Sequence, residues 1–255
     1  MESIEAQTLV WNPPVWREIL RWPLPYQGPG DRLLLKSVAL LGRGHVGAVR
    51  GLEHMRPGVD PFILVANHAS RREAMLLPAM LMLHRGGRLI HFLADWNFRL
   101  IPGVGFFYRR AGTITVTRKP ARPRFLNLLK PLFTDPMPAL ERAREHLLAG
   151  RPVGIFPEGT VNRDPSRLLG GRTGAARLSL ETGVKVIPIG IRFPQRTENA
   201  LGPMEIDIGA PLQPPTLSEA GVASVKDVRL WHGVLMTEIA RLSGKSWKPR
   251  KGEAA

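Results

Sequence analysis

Pro61-Phe62-Ile63-Leu64-Val65-Ala66-Asn67-His68-Ala69-Ser70-Arg71-Arg72-Glu73 runs from an apolar stretch, past a histidine, to a carboxylate. Residues 61–66 read as a short buried strand, and from Glu73-Ala74-Met75-Leu76-Leu77 onward the pattern is helical. His68 falls where strand gives way to helix, the edge at which open α/β sheets present ligand-binding groups. Glu73 has two roles open to it. With Ser70 it fits a capping box that satisfies the first amides of a helix; with His68 it makes the acid partner of a general base.

Outward from this stretch, strands and helices alternate. Strands are expected at 88–94, 112–118, 152–156, 184–191 and 204–208, and helices at 73–84, 138–149, 173–182 and 224–242. Such alternation implies βαβ units: an α/β fold with a mostly parallel central sheet flanked by helices. Ahead of it, 14–21 and 31–41 read as helices, the first in a Pro- and Trp-rich stretch with Trp11, Trp16 and Trp22, the second with Arg32, Lys36 and Arg43 around its leucines. These features suit either a bilayer interface or a flap packed on the core. The expected organisation is an N-terminal helical, membrane-facing segment at 1–59, a core at 60–212, and a C-terminal helix with a basic tail at 213–255.

With 36 basic and 21 acidic residues the chain carries a formal charge of +15, which points to an anionic partner: phosphate, nucleic acid or an acidic membrane surface. Much of that field comes from the stretch between Asp95 and Asp135, which has no acidic residue. There, Lys119 to Arg124 reads equally as a solvated basic loop or an anion-binding one. The chain has no cysteine, so disulfides and a cysteine acyl-enzyme are excluded. No apolar run approaches the roughly 20 residues of a spanning helix, and the acidic opening Met-Glu-Ser-Ile-Glu lacks the form of a signal peptide. A zinc pattern or RNA-recognition signature is likewise missing, and the basic residues are spread among apolar strands, which speaks against a nucleic-acid partner.

A second strand end bears polar residues at Phe156-Pro157-Glu158-Gly159-Thr160, with Arg163 in the same loop, and a third ends in a cation at Gly112-Thr113-Ile114-Thr115-Val116-Thr117-Arg118. In their order and intervals these segments resemble the glycerolipid acyltransferase family, which includes the bacterial 1-acylglycerol-3-phosphate acyltransferases. The family's first block, Asn-His, four residues and an Asp, is matched by Asn67, His68 and, with a longer acid, Glu73. Its second, a Gly, an apolar stretch and an Arg, resembles residues 112–118. Its third, Phe-Pro-Glu-Gly-Thr, is unchanged at 156–160, although Val161 and Asn162 intervene before Arg163. Its fourth, an apolar strand containing Pro, is similar to Val186-Ile187-Pro188-Ile189. The resemblance covers about residues 60–195.

That resemblance implies transfer of a fatty acyl group from acyl-coenzyme A or acyl-acyl carrier protein, as donor substrate, to a lyso-phospholipid hydroxyl, most simply 1-acylglycerol-3-phosphate giving phosphatidic acid. His68 would be the base and Glu73 its orienting acid, with Arg118, Glu158, Gly159, Thr160 and Arg163 at the acceptor's head group. Physically, arginines make paired charge-assisted bonds to phosphate oxygens, and a glycine lets backbone approach closely. No cofactor and no metal is required. The apolar region of Leu100, Phe106 and Phe107 suits an acyl-chain groove as well as ordinary core. The expected place is peripheral, on the cytoplasmic face of an anionic membrane. Rival readings are a non-catalytic lipid-binding relative, a transferase for another lyso-lipid, and a thioesterase.

Overall fold

The computed structural model describes residues 12, 14–121, 123–197, 200–216 and 223–249; Trp11, the acidic opening and the end of the basic tail lie outside them. Seven strands, β1 (Val46–Arg50), β2 (Ile63–Ala66), β3 (His91–Asp95), β4 (Ile114–Val116), β5 (Val153–Ile155), β6 (Val186–Arg192) and β7 (Met204–Ile208), form one sheet in the order β1-β7-β6-β2-β5-β3-β4. Each neighbouring pair is parallel except β6 and β7. Helices α1 (Trp16–Arg21), α2 (Pro29–Gly42), α3 (Glu73–His84), α4 (Val104–Arg110), α5 (Ala139–Leu148), α6 (Gly174–Thr182) and α7 (Val225–Ser243) flank it.

All four residues of β2 are buried, and the period of two explains why an unbroken apolar run was needed. Leu64 and Ala66 enter the core shared with Leu77 and Leu83 of α3 and Val38 of α2. Ile63 and Val65 enter the opposite core, with Leu147 of α5, Leu178 of α6 and Ile239 of α7. Strand β7 instead alternates: Met204, Ile206 and Ile208 are buried, while Glu205 and Asp207 pair with Arg50 of β1 at 3.1 and 3.2 Å and with Arg192 of β6. Residues on both sides of 60–212 thus contribute to the same sheet and cores. The N-terminal helices also pack on this body through Ile19, Leu35 and Val38, while Leu33 and Leu41 stay exposed.

The parallel set β2, β5, β3 and β4 has a direct consequence for function. Parallel strands present their carboxyl ends on one edge, so the residues following β2 (Asn67, His68), β5 (Phe156 to Thr160) and β4 (Thr117, Arg118) emerge side by side. Elements not expected from periodicity include β1, α4 and a 3₁₀ segment at Arg124–Phe133. Gly47 and Ala48 weaken the strand pattern of β1, α4 has only seven residues, and Pro131 keeps the last segment from forming an α-helix.

His91 opens β3 and lies tilted against His146 of α5, with ring centroids 3.9 Å apart. Burial, then the neighbouring His91, Arg151 and Arg142, push the His146 imidazole down to about 4. An ordinary histidine titrates near 6.5. Between these values the unfolded chain holds a proton that the folded chain refuses, so this site leaves stability intact above about pH 6.5 and erodes it as pH falls toward 4. His146→Phe keeps an aromatic ring beside His91 and removes the titration. Its melting temperature is expected to fall less steeply than wild type over that window, and parallel curves would count against the assignment.

Candidate active site

His68 and Glu73 meet where the sequence places them. The imidazole Nδ1 lies 2.9 Å from Glu73 Oε1, and the ring stacks on Phe156 with centroids 4.6 Å apart. The same Oε1 accepts the Ser70 amide at 2.9 Å. The two roles open to Glu73 are therefore filled by one oxygen, which reaches back to the start of α3 while holding the histidine. Ser70 Oγ, however, accepts from the Arg72 amide, so the reciprocal half of the capping box is not made. Glu73 is fully buried, and its Oε2 has no hydrogen-bond partner among the described residues. With Nδ1 engaged, Nε2 is the ring nitrogen left for a substrate.

The backbone of His68 is fixed independently of its ring. Its amide donates to Glu158 Oε1 at 3.0 Å, and its carbonyl accepts the Asn162 amide at 2.7 Å. The other oxygen of Glu158 accepts Asn162 Nδ2 at 2.7 Å and the Leu169 amide at 3.0 Å. Both oxygens of Glu158 are thus committed within the protein, and the residue is buried. Asn67 ties the end of β2 to β6 through two bonds with the Ile191 backbone, at 2.7 and 3.0 Å. Lys245, beyond α7, donates to the Asp164 carbonyl at 2.6 Å; burial pushes its ammonium pKa down, against the pull of Glu158 and Asp164.

His68 opens onto a cleft of about 1980 Å³, larger than the roughly 300–1,000 Å³ that encloses one drug-sized ligand. Arg118, Gly159, Thr160 and Arg163 line it, whereas Glu73 and Glu158 lie behind its wall. Leu100, Ile101, Phe107 and Tyr108 supply an apolar part. Burial alone raises the Tyr108 phenol to about 12, so it stays neutral. Arg71, Arg118, Arg163 and Arg172 pair with no carboxylate among the described residues. Gly159 has φ +64°, and a Cβ there would come within 2.9 Å of Arg172 Nε. Its carbonyl accepts Lys119 Nζ at 2.8 Å.

Sequence reasoning passed over Asn162, Arg172 and Lys245, and named Lys119 only as part of a basic loop, solvated or anion-binding. Asn162 stood next to a quoted motif and carried no signal beyond that. The other three are cations among many, and only the folded chain brings them to this edge. No cluster of histidine and acidic side chains suited to a metal occurs among the described residues. The arrangement holds an imidazole beside unpaired cations in a partly apolar cleft, a fit for deprotonating a hydroxyl on an anionic, chain-bearing molecule.

A family model described as Acyltransferase matches residues 48–192. The lyso-ornithine lipid O-acyltransferase of Pseudomonas aeruginosa is 33% identical over 135 residues, covering 52% of this chain and 44% of that protein. A 1-acyl-sn-glycerol-3-phosphate acyltransferase of Chlamydomonas reinhardtii is 28% identical over 163 residues, 62% of this chain and 43% of the other. These matches span less than half the length of those relatives. The crystal structure of the 1-acyl-sn-glycerophosphate (LPA) acyltransferase PlsC from Thermotoga maritima superposes with a TM-score of 0.53 over 92% of this chain and 82% of that one. At 22% sequence identity, this last likeness is one of fold.

Proposed function

The chain belongs to the acyltransferase family, and from that premise we propose that it moves a fatty acyl group from an acyl thioester to the hydroxyl of a lyso-glycerophospholipid, with 1-acylglycerol-3-phosphate the preferred acceptor and phosphatidic acid the product. The observation that carries this reading is the His68–Glu73 pair, closed at 2.9 Å on the wall of a cleft lined by unpaired arginines. His68 Nε2 takes the proton of the acceptor hydroxyl as its oxygen attacks the thioester carbonyl. The Glu73 carboxylate keeps the second proton on Nδ1 and stabilises the imidazolium. The tetrahedral intermediate then collapses: the carbon–sulfur bond breaks, the imidazolium returns its proton to the leaving thiolate, and the new ester remains. The nucleophile belongs to the substrate, so no enzyme serine or cysteine is consumed.

Arg118 and Arg163 bind the phosphate, with Gly159 and Thr160 presenting the turn between them. Glu158 serves the same site from behind by holding the His68 backbone. The donor is acyl-coenzyme A or acyl-acyl carrier protein. No described helix is long and apolar enough to cross a membrane, which suits peripheral contact at an anionic cytoplasmic surface. The identity with the lyso-ornithine lipid enzyme places lyso-ornithine lipid among the acceptors to compare.

The test is transfer of labelled acyl groups from both donors to a panel of lyso-lipids. Label is expected in the diacyl product of an anionic lyso-glycerophospholipid. Free fatty acid alone would make the protein a thioesterase, and binding without transfer a lipid-binding relative. Arg118→Gln and Arg163→Gln are each expected to raise the acceptor KM about tenfold or more with kcat little changed, because each loses a charge-assisted bond made in ground and transition states alike. An unchanged KM in both variants would remove them from the head-group site.

A further inference from the structure

We propose that the 3₁₀ segment Arg124–Phe133 is a docking element that seats the mouth of the cleft on an anionic lipid bilayer. The proposal rests on the lipid-acceptor reading for its purpose, and on the following observations for its geometry. In Arg124-Phe125-Leu126-Asn127-Leu128-Leu129-Lys130-Pro131-Leu132-Phe133, with three residues per turn, Phe125 and Leu128 share a row with Pro131 and Leu129 and Leu132 share the next with Leu126, two adjoining apolar rows that make one stripe. On a helix of a globular domain that stripe is the buried one. Here it faces out: Phe125 is 68% exposed, Leu128 84% and Leu132 76%, and no residue of the segment is buried.

The inward contacts are made instead by other residues. Asn127 accepts the Ala121 amide at 2.8 Å and donates to the Arg124 carbonyl at 2.7 Å, and the Phe133 ring lies 6.1 Å from Trp96. Trp96 in turn donates to the Lys119 carbonyl at 2.8 Å. The segment is therefore held in place by Asn127 and the Phe133 ring, with Phe125, Leu128 and Leu132 left outward.

Charge selects the occupant. Arg124 and Lys130 lie on the segment and Arg118 precedes it, and none of them pairs with a carboxylate among the described residues. An outward apolar stripe flanked by unpaired cations fits anionic head groups over acyl chains. Position agrees with charge: Leu126, Pro120 and Lys119 line the cleft, as does Ile101, which is exposed. The N-terminal helix α2 is the competing element, with Leu33 and Leu41 exposed. The two cations within it, however, are turned to backbone carbonyls: Arg32 to Leu24 and Gln27, Lys36 to Leu20.

The test is co-sedimentation of the full chain with vesicles of phosphatidylcholine, with and without phosphatidylglycerol, at low and high salt. Wild type is expected to bind the anionic vesicles in a salt-sensitive manner. Leu128→Glu/Leu132→Glu should weaken that partitioning by at least about tenfold, while Leu33→Glu/Leu41→Glu binds as wild type does. Both leucine pairs are exposed, so unchanged melting temperatures separate lost docking from lost folding. Acyl transfer between a short-chain thioester and a monomeric acceptor should be unchanged in Leu128→Glu/Leu132→Glu. If no variant transfers acyl groups but the vesicle pattern holds, the docking proposal stands and the catalytic reading falls. Vesicle binding that is absent in wild type, or equal in wild type and Leu128→Glu/Leu132→Glu, overturns the proposal. So does conversion of a dimer to monomers by that variant with vesicle binding unchanged, which would make the stripe a contact between copies.

Discussion

His68→Ala is expected to lower kcat for acyl transfer by about 10²–10⁴-fold, the usual contribution of a positioned general base. The acceptor hydroxyl then has no group nearby to take its proton, since the carboxylate of Glu73 lies behind the cleft wall, fully buried. Binding should change little, because the cations that line the cleft do not depend on the imidazole. The fold should survive as well. The His68 amide and carbonyl keep their bonds to Glu158 and Asn162, and Glu73 keeps the Ser70 amide. Steady-state kinetics with the best acceptor, alongside a melting curve, tests both halves. Activity within tenfold of wild type in a folded variant would remove His68 from the chemistry.

The sequence made legible those parts of the molecule in which one chain segment carries its own signal. The unbroken apolar runs of β2 and α3 and the three-to-four spacing in α7 reflect the burial that each element undergoes. His68 and Glu73 are five residues apart, so a single strand–helix turn brings them together. The network behind the wall is different in kind. Glu158 meets the His68 amide across 90 residues, and nothing in Phe-Pro-Glu-Gly-Thr says that both carboxylate oxygens turn inward. Lys119 reaching Gly159, and Lys245 reaching Asp164, depend on the order of strands in the sheet. The segment at 124–133 was obscured by its own chemistry. The basic-loop reading of Lys119 to Arg124 stops at its first residue, Pro131 breaks a helical pattern, and an apolar stripe by itself reads as packing.

Glu73→Gln is expected to separate the two roles of this side chain. One oxygen accepts both the Ser70 amide and His68 Nδ1, and the other has no partner among the described residues. A glutamine can therefore place its carbonyl oxygen where Oε1 now lies, keeping the start of α3, the ring orientation and the tautomer. What it gives up is the negative charge beside the imidazolium. A hydrogen bond to a charged partner contributes about 1.5–3 kcal/mol, so the expected loss in kcat is about 10- to 150-fold. Its amide NH₂ group would occupy the buried position of Oε2, and an unsatisfied donor there costs about 1–3 kcal/mol of stability. The variant should thus be slower and less stable, yet folded. Because the carboxylate acts only through the histidine, the double variant His68→Ala/Glu73→Gln should be no slower than His68→Ala alone, the non-additivity of residues that work as one unit. Glu73→Asp tests reach rather than charge: a carboxylate withdrawn by one methylene cannot hold both donors at 2.9 Å, and a misplacement of about 1 Å can cost on the order of 10²-fold. Wild-type rates in both Glu73→Gln and Glu73→Asp would leave Glu73 as a helix cap with no part in the reaction.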